Sequence, residues 1–401
     1  MNQEAKAVTV LALGFGLVGI DRFLISTMYP VIAKDLHLGY GGIGVITGAL
    51  ALAWGVAALF MGNVSDRIGR RRVLVGALLV FSLLIGASGL ATGLASLVLV
   101  RVVMGFADGA FTPASISATL EASPAEHHGR NIGIQQMGMT LFGLGLAPLA
   151  VSALLHVLEW RLIFSIFVIP GLILAWFTAR IVPPAKAISS QAGRNRLTDW
   201  KAVLSYSNIR VLTCLMLCWL TCLVTTSAFM PGYLMDRLGL GFGSMGTIMS
   251  AIGLGATAGT LTLPWLSDSI GRKPVMLLST VGGCGMLLAL NSLGANTGLL
   301  FAALFMVHFF NNALITLTVG PLCSETVPAS LMATASGVVI AAGELFGGGL
   351  APIVAGQVAE RFGIARLLWL PMAAITLGFI LCLRLIETRP VIARHFAGVT
   401  Q

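Results

Sequence analysis

The sequence predicts an all-α integral membrane protein whose twelve transmembrane helices form two six-helix repeats. Three observations lead there: the composition, the spacing of apolar runs, and punctuation that recurs at an offset of about 202 residues. Of 401 residues, 57% are hydrophobic and only 10% charged, and the mean hydropathy is +0.94. Soluble domains of this size do not approach that balance. A helix that crosses the hydrocarbon core needs about 20 apolar residues. The chain divides into runs of that kind near 7–31, 42–62, 73–92, 95–118, 131–155, 162–181, 209–236, 244–266, 275–292, 297–322, 331–357 and 366–384.

The polar opening Met1–Lys6 leads into a run too long for a signal-peptide core, with no small-residue cleavage pattern behind it, so the first run is expected to remain as a helix. The longest polar interval, from Pro183 to Ser207, carries Pro183-Pro184, Ser189-Ser190-Gln191 and Arg194-Asn195-Arg196. It divides the chain into an N-terminal bundle (1–182), a linker (183–208) and a C-terminal bundle (209–401). With both termini cytoplasmic, most of the 24 Lys and Arg fall in cytoplasmic segments. That is the positive-inside pattern of a multi-pass protein of the cell (inner or plasma) membrane. It also explains the net charge of +9 without nucleic acid. Cys214, Cys218 and Cys222 share a helix face, but no His or carboxylate joins them, so no metal site is expected and the cysteines read as packing residues.

The two halves answer each other. Gly62-Asn-Val-Ser-Asp66-Arg67-Ile-Gly69-Arg70-Arg71-Arg72 matches Pro264-Trp-Leu-Ser-Asp268-Ser-Ile-Gly271-Arg272-Lys273, each after the second helix of its half. Glu121-Ala-Ser-Pro124 matches Glu325-Thr-Val-Pro328, and Gly145-Leu-Ala-Pro148 matches Gly349-Leu-Ala-Pro352. Parallel repeats of this kind place a substrate site at mid-membrane between the halves. In the loop motif, Gly62 and Gly69 permit tight turning, and Asp66 can accept from arginines or a helix N-terminus.

Well inside the spans stand Asp21, Arg22, Arg101, Asp108 and Glu344. Charges at that depth are expensive, and their default reading is functional. Arg22 and Tyr29 share a helix face, while Asp21 points about 100° away from Arg22. Arg101, Gly105 and Asp108 share one face of the fourth helix, where Gly105 leaves room for a side chain or ligand. The matching positions of the second half are uncharged: Asn312 answers to Asp108 and Phe305 to Arg101. A guanidinium in a low-dielectric cavity suits a carboxylate, sulfonate or phosphate, because it binds two oxygens at once. Arg22 is therefore the first candidate for a substrate anion. Arg101 is either a helper or a partner of Asp108. The plain alternative is that both arginines only neutralise Asp21 and Asp108. Asp21 and Asp108 are candidates for proton coupling, because a carboxylate whose Arg partner is borrowed by a substrate exchanges a proton as it does so. Glu344, next to Gly347-Gly348-Gly349, is a third proton candidate, a counter-charge for an amine, or a structural partner of a donor on the seventh or tenth helix. Tyr29, Trp54, Gln135, Gln136, His308 and Asn312 complete the candidate substrate wall.

On these motifs the chain resembles the major facilitator superfamily over nearly its whole length. The loop Gly62…Asp66-Arg67…Gly69-Arg70-Arg71-Arg72 looks like the family signature between helices 2 and 3, and Arg101-Val-Val-Met-Gly105-Phe-Ala-Asp108-Gly109 like its helix-4 motif. The resemblance implies the major facilitator fold and alternating access, driven by a proton gradient with no cofactor. It also implies a conformational gate at Gly62, Asp66, Arg67, Gly69, Arg70 and Arg71, with Asp268 and Arg272 in the second half. Adjacent Asp21-Arg22, with Arg101 and an acid seven positions later, is similar to the anion:cation symporter branch. There the helix-1 Arg contacts a substrate carboxylate, and the helix-1 Asp and helix-4 acid take part in protonation. Two positions depart from that branch: Asp108 stands for a more usual Glu, and Met139 stands near where a helix-5 Gln is often found. The stretch Tyr29-Pro30-Val-Ile-Ala-Lys-Asp35 also looks like proton-coupled drug exporters, although Gly138, Gly143, Gly145 and Pro148 give only an approximate version of their helix-5 motif.

The expected function is proton-coupled transport of a small organic anion, with a drug or metabolite efflux antiporter as the alternative and a non-transporting ligand sensor of the same fold as a further one. Each buried hydroxyl of a sugar acid needs a partner. Beyond the charges, the span interiors offer such partners only in Gln135, Gln136, His308, Asn311, Asn312, Tyr29 and some Ser and Thr, set among the aromatic Trp54, Phe106, Phe305, Phe309 and Phe310, which leans towards an aromatic or other apolar carboxylate over a sugar acid. The expected partners are that anion, protons and the lipid bilayer. One chain encloses the site, so a monomer is expected. An enzyme finds no support in nucleophile or metal motifs.

Overall fold

The computed structural model describes residues 3–183, 196–328 and 331–388. Among them, twelve helices are long and apolar enough to cross a membrane: α1 (Gln3–Asp35), α2 (Tyr40–Ile68), α3 (Arg70–Ser88), α4 (Leu94–Glu121), α5 (His128–Leu154), α6 (Trp160–Ile181), α7 (Ser207–Arg237), α8 (Phe242–Ile270), α9 (Arg272–Ser292), α10 (Thr297–Thr326), α11 (Thr334–Phe362) and α12 (Ile364–Leu383). The twelve apolar runs of the sequence each fall on one of them. Residues 184–195 of the expected linker lie outside the described residues, and a short helix, Arg196–Ser205, leads into α7.

Backbone demands explain the repeated loop. Gly69, between α2 and α3, has φ 95°, and Gly271, between α8 and α9, has φ 102°. L side chains rarely adopt that region, so both positions call for glycine. In each loop the glycine amide donates back to a serine carbonyl, Gly69 to Ser65 at 3.0 Å and Gly271 to Ser267 at 3.1 Å.

Within the halves, small residues let helices touch backbone to backbone. Gly105 and Gly109 of α4 lie against the α2 backbone at Leu50 and Trp54, and Gly255 and Gly259 of α8 lie against the α10 backbone at Phe305 and Phe309. The expectation that Gly105 leaves space for a ligand is corrected by this contact, because α2 itself fills the space. Without a hydrophobic drive between helices in lipid, such close packing is a main source of cohesion.

Two helices are locally wound too loosely for an α-helix. In α5 the segment Met139–Leu146 is π-helical, the Ala147 amide donating to Phe142 O. In α11 the segment Gly343–Leu350 is the same, the Ala351 amide donating to Phe346 O. These segments are repeat equivalents, and π turns concentrate at functional sites.

Between the halves, α2 packs on α11, α5 on α8 and α1 on α7. The tight contacts lie toward the face opposite the N-terminus. There Gly44 meets Pro352 O, Gly48 meets Gly349 O and Gly246 meets Ser152. At the rim of that face Tyr40 Oη donates to Asp236 at 2.6 Å and the Gly41 amide to Glu360 at 3.0 Å.

Candidate functional site

Arg22 lies midway along α1 and is 6% exposed; Glu344, on the π turn of α11, is equally buried at 6%. The guanidinium donates from Nη1 to Oε1 at 3.0 Å and from Nη2 to Oε2 at 2.7 Å. This two-pronged geometry is the strong form of an Arg–carboxylate pair, and here it joins the two halves. The Trp54 ring lies 4.6 Å from the guanidinium carbon, in cation–π range. The glycines after Glu344 make the pairing possible. A Cβ on Gly348 would stand 2.7 Å from Glu344 Oε2 and 3.3 Å from Arg22 Nη2, so any larger residue would press on the bridge. Of the roles open to Glu344 in the sequence, pairing with α7 or α10 is not what the structure has; the donor is Arg22 of α1.

Asp21 precedes Arg22 by one residue, and the helical turn of about 100° sends it to a different network. Arg101 of α4 donates from Nη1 to Asp21 O at 2.7 Å and to Asp21 Oδ1 at 3.4 Å. All three of Asp21, Arg101 and Asp108 are essentially inaccessible. Arg101 Nε and Nη2 have no acceptor, and no donor reaches either oxygen of Asp108. The Asp108 carboxyl instead faces that of Asp21. Two carboxyl groups in contact hold together only when they share a proton, or when a cation offsets their charge. Arg101 thus binds Asp21 directly and makes no hydrogen bond to Asp108.

The two networks border one cavity. Arg22, Ser26, Thr47, Leu50, Arg101 and Val224 line a space of about 10 Å³. That volume admits roughly one water, so in this conformation the site is closed around its own side chains.

The remaining candidates lie apart from this centre. Tyr29 Oη donates to Gly39 O at 2.5 Å, which fixes it near the face opposite the N-terminus. Gln135 is tied to α4, donating to Ser115 Oγ at 2.7 Å and accepting from Thr119 Oγ1 at 3.0 Å. Its neighbour Gln136 is half-buried. His308 Nε2 meets Thr226 Oγ1 at 3.0 Å, and Asn312 Nδ2 leans on His308 O of its own helix at 3.4 Å. Phe301, Phe305 and Phe309 stack along α10 at 6.4 Å spacings, whereas Phe106 is 48% exposed and is not part of the arginine cavity's lining.

Of the gate candidates, the side chains of Gly62, Asp66 and Arg67 lie outside the described residues. Arg70 pairs with Glu121 and also donates to Ser117 O at 3.2 Å, while Arg71 is half-buried. The second half repeats the pairing: Arg272 binds Glu325 and Asp268, each at 2.8 Å. Two of the three recurring punctuations, the loop arginine and the Glu-x-x-Pro acid, are therefore two ends of one ion pair in each half. Glu387 adds a cap on the N-terminus of α9, accepting from the Arg272 and Lys273 amides at 3.1 and 2.8 Å.

Sequence reasoning passed over Ser26, Thr47, Gly348 and the rim pairs of Tyr40 and Glu360. For Gly348 the signal was present, as a glycine run that starts three residues after a buried acid; for the rim pairs no local signal exists. Among the described residues, no group of three or more His, Cys, Asp or Glu is placed to hold a metal ion.

Comparison with known proteins agrees with this architecture. The family model described as Major Facilitator Superfamily matches residues 11–352 and 242–401. The chain is 27% identical to the 3-(3-hydroxy-phenyl)propionate transporter of Escherichia coli, over 85% of this chain and 83% of that one. It is 25% identical to a protein of Cupriavidus pinatubonensis named a probable 4-methylmuconolactone transporter, over 91% and 86% of the two chains. The crystal structure of a bacterial homolog to the human lysosomal transporter Spinster superposes with a TM-score of 0.79 at 17% identity, covering 98% of this chain and all of that one.

Proposed function

The chain belongs to the Major Facilitator Superfamily, and on that premise we propose that it is a proton-coupled transporter of a small organic anion, working by alternating access between the two faces of the cell membrane. The observation that carries this reading is the bidentate Arg22–Glu344 pair at the seam between the halves. A guanidinium that grips a carboxylate with both nitrogens, buried and backed by Trp54, has the geometry required of an anion site. The spare donors of Arg101 on the same cavity add a second point of attachment.

Coupling to protons rests on Asp21 and Asp108. Their carboxyl groups lie near two cations, Arg22 and Arg101, that both border the substrate cavity. An anion that draws on either arginine changes the charge balance of the carboxyl pair and with it their hold on a proton. With both termini cytoplasmic, the closed rim at Tyr40–Asp236 and Gly41–Glu360 faces outward and shuts the outer entrance to the site. The cargo favoured is an aromatic or other apolar monocarboxylate, because Trp54 and Phe23 are the rings nearest Arg22. Relatives named for aromatic or lactone compounds fit that choice.

A thermal-shift screen of the purified protein against carboxylates and hydrophobic cations tests the reading, since a ligand that binds only the folded state raises its apparent stability. Stabilisation by monocarboxylates supports it. Stabilisation by cations alone transfers the function to drug efflux, and a ligand that binds without being moved in proteoliposomes makes the protein a sensor.

A further inference from the structure

We propose that Glu344 is an internal stand-in for the substrate carboxylate, occupying Arg22 whenever the carrier is empty and yielding it to an incoming anion. This deepens the transport reading and rests on it for the identity of the displacing anion.

Three features separate this bridge from a structural one. The first is its position. The ion pairs Arg70–Glu121 and Arg272–Glu325 lie within single halves, whereas Arg22–Glu344 crosses the seam along which the halves must move. The second is space. With Glu344 in place the adjoining cavity holds about 10 Å³, too little for any carboxylate beyond the one already there. The third is the backbone beneath the acid. Glu344 is carried on a π turn that also contains Gly347, Gly348 and Gly349, of which Gly348 leaves open the room around both head groups. A π turn holds an extra residue that an α-helix would not, so the segment has a second register in reach without breaking the helix.

An empty carrier needs such a device. A bare guanidinium in a dry seam is costly, and a site that fits only when loaded would return only when loaded, which makes an exchanger. With Glu344 on Arg22 the empty form is neutral and closes. When a monoanion arrives, one negative charge replaces another on Arg22. The freed Glu344 takes over the coupling proton held by the Asp21–Asp108 pair, so substrate carboxylate plus proton become an Arg22-bound carboxylate and a neutral Glu344 carboxyl. The charged and titratable groups around this step are Arg22 on α1 and, behind it, Asp21 on α1 and Arg101 and Asp108 on α4. The same bookkeeping selects against dianions, whose second charge would have no partner.

Removing the stand-in exposes the site to any small carboxylate. Full-length Glu344→Ala is melted in detergent with up to 100 mM sodium acetate or, at equal ionic strength, sodium chloride, beside the wild type and the Arg22→Gln/Glu344→Ala double variant. The expected result is a saturable acetate-dependent rise in melting temperature for Glu344→Ala, with none in the wild type or the double variant. Equal responses in the wild type and Glu344→Ala, or no acetate response in a folded Glu344→Ala, overturn the proposal. If Glu344→Ala does not fold, Glu344→Ser, which also vacates the space of the carboxylate, is read by the same criteria. A wild type that transports no carboxylate sinks the transport reading and leaves the acetate result standing on its own.

Discussion

Arg22 and Glu344, 322 residues apart in sequence, close a two-bond bridge between the two halves of the molecule. Neither residue has an ionised counterpart at its own repeat-related position, so the bridge is not a copy of any contact within one half. It arises only when α1 and α11 are brought together.

Breaking that bridge leaves a buried charge without a partner. Arg22→Gln is expected to destabilise the empty protein by about 3–5 kcal/mol, the usual cost of orphaning one member of a buried pair. Arg22→Gln combined with Glu344→Gln removes both charges and recovers most of the loss. A double-mutant cycle by thermal or chemical unfolding reads both; additive effects of the two single changes contradict a direct bridge.

Gly348 guards the space of the two head groups. Gly348→Val is expected to lower stability by about 1–3 kcal/mol through overpacking and to reduce anion binding, because the new side chain meets Glu344 Oε2 and Arg22 Nη2. Gly337 on the same helix has open space around it, and Gly337→Ala serves as the control with little effect. Melting curves and ligand-induced shifts compare the two.

At the rim, Tyr40→Phe removes the hydroxyl that reaches Asp236 across the halves. A hydrogen bond to a charged acceptor contributes about 1.5–3 kcal/mol, so the population opened at that face should rise by roughly 10- to 150-fold. Labelling of a cysteine introduced at Thr47, on the cavity wall, reports the opening; an unchanged labelling rate shows that the rim pair does not hold the face shut.

Asp108→Asn removes one acid from the carboxyl pair while keeping its shape. Substrate binding and exchange between equal pools should persist, while accumulation driven by a proton gradient should vanish along with the pH dependence of uptake. Retained accumulation places the coupling proton elsewhere, with Glu344 the next candidate.

Much of this fold was legible before any coordinates, because the bilayer imposes a length and the repeat imposes a register. Apolar runs fixed the helices, and the recurrence of Asp66 at Asp268 and of Gly69 at Gly271 fixed the loops. The glycines of those loops were readable because positive φ leaves few alternatives. The site was legible in its parts and not in its pairing. Burial cost singled out Asp21, Arg22, Arg101, Asp108 and Glu344, since few forces other than function or pairing keep a charge at that depth. Which acid meets which base depends on helix rotation and on the approach of the halves. So Arg101 was open between a helper role and Asp108 and is bonded to Asp21, while Glu344 was sought beside α7 or α10 and is held by α1. Gly105 failed for the same reason: a glycine on a helix face signals close approach, but not whether a ligand or another helix does the approaching. Gln135 and His308 were polar residues in the right helices that spend their hydrogen bonds inside their own halves.

The central claim is that Arg22 receives a carboxylate that protons drive across the membrane. The direct measurement is uptake of labelled 3-(3-hydroxyphenyl)propionate and of a panel of other monocarboxylates into proteoliposomes under an inward proton gradient, wild type beside Arg22→Gln. Accumulation above equilibrium of at least one monocarboxylate, lost when the gradient is collapsed and absent in Arg22→Gln, is the expected result. Equal accumulation by the Arg22 variant, or gradient-driven expulsion of hydrophobic cations with no carboxylate moved, contradicts it.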